Sequence, residues 1–153
     1  MSSAKSDLIK GIIGGLKLSA AWTFMASTYF GMELGRVIWK PHDDFYPFSV
    51  LLWGAVSVVW VFGIRGRLVE LTLAVPLAEA DATRMKTRGV LAGGFGNACV
   101  SVCLGLCLVA SKRVGGLYPV ATAVLGVLLL LIVFLIYRAI KRLAAFVTPL
   151  SSP

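Results

Sequence analysis

Glu33 and Arg36 stand three residues apart in Tyr29-Phe30-Gly31-Met32-Glu33-Leu34-Gly35-Arg36, at the end of an otherwise apolar run. On a helix this spacing puts the carboxylate and the guanidinium on one face, within ion-pairing reach. A carboxylate inside a bilayer is a functional hypothesis by default, for proton or ligand coupling. Trp39 follows within three to six residues, roughly 5–9 Å along a helix axis. An aromatic residue so close marks a membrane–water boundary, and the pair reads first as the polar end of a spanning helix.

The other groups able to do chemistry are few. Asn97 lies in the middle of a long apolar stretch, where a buried amide serves as interhelical glue or, alternatively, as a contact on a polar path. Cys99, Cys103 and Cys107 recur every four residues, but no imidazole stands near them, and thiols in apolar helices behave as small hydrophobes. His42, the only histidine, precedes Asp43 and Asp44 in a proline-bounded loop. Structural zinc sites take four ligands, and one histidine cannot supply bis-histidyl haem ligation. Gly93-Gly94-Phe95-Gly96 is no phosphate-cradling loop, because it sits inside an apolar stretch instead of between a strand and a helix. No catalytic set, metal site or cofactor site is expected.

The elements that carry these residues are membrane spans. Only 14% of the 153 residues are charged and 58% are hydrophobic, where a soluble domain carries about 25% charged residues. Mean hydropathy is +0.88. The stretches 45–64, 89–111 and 114–137 hold no Asp, Glu, Lys or Arg, and about 20 apolar residues suffice to cross the roughly 30 Å hydrocarbon core. The N-terminal apolar run, 18–32, is shorter. It spans only by approaching Glu33 and Arg36 or by taking in Lys17 and Lys10, whose stems can snorkel. The fold expected is an all-α integral membrane protein with four transmembrane helices in an up-down bundle, at about 12–39, 45–64, 89–111 and 117–137, forming a single transmembrane domain over 1–153. A helix cap is expected at Ser6 or Asp7.

Between the second and third spans, Ile64, Leu68, Leu71, Val75, Ala78 and Ala82 recur at spacings of four and three, which is one helical face. Pro76 interrupts the segment, and its apolar part is too short to span. This predicts a short amphipathic interfacial helix over 67–84, kinked at the proline, or a short helix packed on a partner subunit.

Basic residues set the orientation. Lys5, Lys10, Lys17, Arg65, Arg67, Arg84, Lys86, Arg88, Arg138, Lys141 and Arg142 fall on one side of a four-span chain; Arg36, Lys40, Lys112 and Arg113 fall on the other. The positive-inside bias puts both termini on the cytosolic, matrix- or stroma-equivalent side. The surplus that gives the net charge of +8 tracks the loops of one side, so it is topology and not a nucleic-acid face. The inner mitochondrial membrane and the endoplasmic reticulum are the candidate homes.

Two ridges of small residues are the most specific pattern. Gly11, Gly15, Ser19, Thr23, Ser27, Gly31 and Gly35 occupy every fourth position of the first span, and Gly89, Gly93, Asn97, Ser101 and Gly105 repeat the theme in the third. Small residues at this spacing let two backbones approach closely, and in lipid close packing and hydrogen bonds supply helix association. The expected function is therefore a non-catalytic multi-pass subunit packed into a larger membrane complex, such as an organellar energy-transducing assembly. Its partners would be the bilayer, bound lipids, and other subunits or further copies of itself, with no nucleic acid. Two alternatives stand beside it: a small oligomeric channel or transporter with Asn97 and Glu33 facing a polar path, and a membrane enzyme acting on a lipid-like substrate.

Overall fold

An apolar stretch carries its backbone polar groups into surroundings with no water to bind them, so it must satisfy them internally, and a helix does so. The computed structural model contains α1 (Ser2–Trp39), α2 (Phe45–Ala74), α3 (Leu77–Arg113) and α4 (Tyr118–Leu150). It describes residues 2–39, 45–75 and 77–150, with side-chain surroundings for 7–39, 48–75 and 79–147. His42, Asp43, Asp44 and Lys40 lie outside the described residues, as do the side-chain surroundings of Lys5 and Tyr46. All four helices are long and apolar enough to cross a membrane, and there is no strand among the described residues. The chain is a multi-pass integral membrane protein.

The helices run well past the expected spans. They hold 38, 30, 37 and 33 residues, or roughly 45 to 57 Å at 1.5 Å per residue, against a hydrocarbon core of about 30 Å. The N-terminal lead is already helical from Ser2, so Ser6 and Asp7 lie inside α1 and not at its start; Asp7 reaches Lys10 one turn on, at 3.8 Å. Nor is 67–84 a helix of its own. It is divided between the end of α2 at Ala74 and the start of α3 at Leu77. Arg65 and Arg67 are good helix formers and do not stop α2. Only Pro76 does, because the residue before a proline is pushed out of the α region. The periodic face over 64–75 is nevertheless used. Ile64, Leu68, Leu71 and Val75 are buried together with Ile9, Ile12, Ile13 and Leu16 of α1 and Ile140, Leu143 and Val147 of α4. Their apolar stripe turns into the bundle.

The turn between α3 and α4 is closed by Gly115 and Gly116, with φ of 71° and 63°. Only glycine adopts this left-handed region without a Cβ penalty, and it lets the Gly115 N–H reach back to the Ala110 carbonyl at 3.4 Å. Lys112 and Arg113 occupy the last turn of α3, where cations complement the helix dipole.

In the bundle α1 is central, packed along both α2 and α3, while α4 leans on α3 and touches α1 more narrowly. Trp22 and Tyr29 of α1 stack on Trp60 and Trp53 of α2, so partner numbers fall as α1 numbers rise. Between α1 and α3 they rise together: Asn97 bonds to Ala20, and Gly105 meets Thr28 and Met32. α4 leaves most of its surface uncovered, with Val120, Val124, Val127, Leu130, Leu131 and Phe134 facing outward. That is the surface expected of a helix against lipid.

Candidate functional site

The seam between α1 and α3 is closest at Gly31 and Gly105. A Cβ on Gly31 would overlap the Val102 carbonyl oxygen, and one on Gly105 would overlap that of Thr28. Here backbone meets backbone, which no flexible side chain could relieve. Gly35 lies against Val109, 3.1 Å from where its Cβ would be. Nearer the other end, Asn97 donates from Nδ2 to the Ala20 carbonyl at 3.2 Å, tying α3 to α1. Asn97 is only 1% exposed, and its Oδ1 has no partner; the buried Ser101 hydroxyl, one turn on, has none either.

The α1 ridge does not stay on α3. It advances about 40° every four residues on an ideal helix, and so it passes to α2. Ser27 shares a 2.6 Å hydrogen bond with Ser57, Ser19 faces Gly63, and Gly15 lies beneath the Arg67 side chain. Thr23, fully buried, returns its hydroxyl to the Ser19 carbonyl at 2.8 Å. Gly11 and Gly89 meet nothing within 4 Å, whereas Gly93 would bring a Cβ to 2.8 Å from Cγ1 of Ile136. The two rows thus hold tight seams, hydrogen-bonded positions and open positions.

Glu33 is buried and receives a hydrogen bond from Arg36, its neighbour at i+3. Trp39 of the same turn packs edge-on against Tyr118 at 6.2 Å, so the charge pair sits at the end of the bundle where α4 begins. Asn97, at the level of Ala20, is about a turn from Lys17 and far along α1 from Glu33. The two polar residues expected to share a path are not brought together. Cys99 and Cys103 face outward and Cys107 is half-covered; all three are free thiols. Among the described residues no three His, Cys, Asp or Glu side chains converge.

Two features were missed in the sequence. The face of α2 that packs on α1 (Ser49, Trp53, Ser57, Trp60 and Ile64) repeats at four, four, three and four, a helical period hidden because every residue around it is also apolar. The second is a cleft of about 320 Å³ between α1, α3 and α4, where Asn97 shares the lining with Lys17 and Tyr137. No linear signal could have shown it, since its three polar residues come from three helices.

No family model, curated protein or solved structure matches the chain.

Proposed function

We propose that the protein is a non-catalytic subunit of a larger membrane assembly, an up-down bundle whose outer α3 face receives a transmembrane helix of another subunit. One observation carries this reading. Gly89, Ala92, Gly96, Cys99 and Cys103, at spacings of three and four, form a largely exposed face of α3, of which Gly89, Ala92 and Gly96 share an open groove with Ile132 and Leu135 of α4. Elsewhere the outer surface carries large side chains: Phe48, Leu51, Val59 and Phe62 on α2, the Val, Leu and Phe residues of α4, and Met85 and Phe95 at the margins of the α3 face itself. Large side chains suit fluid lipid tails, whereas a smooth small-residue face suits the close approach of a second helix.

The membrane register belongs to the same proposal. Lys17 and Arg36 are separated by about 28 Å along α1, close to the thickness of the hydrocarbon core. The cations near Lys17 (Arg65, Arg67 and Arg138) then mark the cytosolic, matrix- or stroma-equivalent boundary, with the helix extensions and both termini beyond it.

The test is the mass of the native particle in mild detergent, read by gradient or native mass spectrometry. Gly96 has open space around it, so Gly96→Leu leaves the bundle folded and is expected to release the chain from its assembly. A wild-type chain that is stable and complete as a monomer would sink the proposal. No observation favours the channel alternative: Asn97 and Glu33 are both buried and lie at different levels of α1.

A further inference from the structure

The cleft between α1, α3 and α4 lies on a different side from the small-residue face of α3. Its walls are apolar: Ala20, Ala21 and Phe24 of α1 face Val133 and Ile136 of α4. At about 320 Å³ it reaches the lower end of the roughly 300–1,000 Å³ typical of small-molecule sites. Three polar groups line it, and each lacks something. Lys17 has no ion pair among the described residues; its ammonium lies 5.7 Å from the centre of the Tyr137 ring and otherwise faces outward. Tyr137 is half-exposed beside it. Asn97 uses its Nδ2 on Ala20, and that bond fixes which end of the amide is the donor. The end left over is Oδ1, a buried acceptor without a donor. An unmet buried acceptor costs on the order of 1–3 kcal/mol; Asn97 is the α3 residue that lines the cleft, and a donor there that its side chain turns to meet would remove that cost.

The two demands are set at different depths. Asn97 is level with Ala20, three residues inward of Lys17, and the Lys17 stem can carry its ammonium further toward the surface. An occupant therefore needs an anion at the mouth, a hydroxyl or amide N–H a few bonds deeper, and an apolar chain running past Ala21, Phe24 and Val133. We propose that this cleft binds a membrane lipid with an anionic headgroup and a hydrogen-bond donor next to it, of the lysophosphatidic acid class. Lys17 and the Tyr137 hydroxyl take the phosphate, and Asn97 Oδ1 accepts from the donor. Phosphatidic acid has the anion but no such donor, and monoacylglycerol has the donor but no anion.

The experiment measures binding of lysophosphatidic acid, phosphatidic acid and monoacylglycerol, matched in acyl chain, to the full chain in neutral detergent by native mass spectrometry. Wild type is expected to bind lysophosphatidic acid at least tenfold more tightly than either other lipid. Lys17→Gln should remove the preference over monoacylglycerol while leaving monoacylglycerol binding unchanged. Asn97→Ala also loses the bond to α1 and risks the fold, so Ala21→Trp, at an exposed wall position, serves as the blocking variant and should weaken all three lipids. Equal binding of the three lipids by wild type, or undiminished lysophosphatidic acid binding by Lys17→Gln or Ala21→Trp, would overturn the proposal. Assembly mass is read separately, so failure here leaves the subunit reading untouched.

Discussion

The two ends of this bundle are buried by different kinds of residue. Where the helices extend past Lys17, Arg65 and Arg138, the interior is Ile9, Ile12, Leu16, Leu68, Leu71, Leu143 and Val147. Between those cations and Arg36 small and polar residues enter the interior, Ser19, Thr23, Ala26, Ser27, Ser57, Asn97, Ala98 and Ser101, beside the aliphatics Val109, Leu129 and Ile136. The physical difference is the solvent that each side chain leaves behind. A leucine turned inward from water gains roughly 1.5–3 kcal/mol, while one turned inward from lipid exchanges one hydrocarbon environment for another. In lipid, association rests on dispersion and hydrogen bonds at short range, and small residues shorten the range. On the proposed membrane register, the first half is built like a soluble helical bundle and the second like a membrane seam. Large aliphatics on α2 and α4 in that second half point outward, at Leu51, Val59, Leu130 and Leu131.

The comparison can be tested by substitution, with unfolding followed by titration of sodium dodecyl sulfate into mixed micelles. The largest effect is expected at Gly105→Leu or Gly31→Leu, which force backbone from backbone and should cost about 3 kcal/mol or more. A retained midpoint in both would remove the tight α1–α3 seam from the account. Next comes a matched pair of buried leucines. Leu143, in the water-side core, should lose about 3 kcal/mol on change to alanine. Leu129, buried to a similar degree within the α4 span, should lose about half as much, because only the cavity part of the cost remains. Equal losses would show that the two halves are not packed by different forces. Ser27→Ala removes the bond to Ser57 and should cost about 1 kcal/mol. Smallest of all is Gly89→Ala, which meets nothing within 4 Å; the stability of the isolated chain should change by less than about 1 kcal/mol.

Some of this was readable in advance from particular residues. The charge-free stretches 45–64, 89–111 and 114–137 announce spans, because so little charge over such length fits only an apolar solvent. The fourfold rows on α1 and α3 contain Gly31, Gly105 and Asn97, the residues at which those helices approach and bond. The helix ends were harder. The charge-free stretch 45–64 ends at Arg65 while helix α2 continues to Ala74, because a cation ends the apolar stretch and not the helix. Spacing alone also could not tell that the 64–75 stripe would be buried against α1 and α3 instead of a membrane surface, since an apolar face does not specify what covers it.

By itself, then, the sequence determined that this chain is helical and membrane-spanning, where its small residues recur, and that Pro76 interrupts the helical pattern between the second and third spans. Those are properties of local backbone and solvent preference. The tertiary structure alone decided which neighbour each ridge position meets: Gly31 against Val102, Ser27 against Ser57, Gly11 against nothing. It also decided that Lys17, Asn97 and Tyr137 would share one cleft. A helical pattern states which residues lie on one face, but contact between helices depends on crossing angle and rotation, and these follow from the packing of the whole bundle.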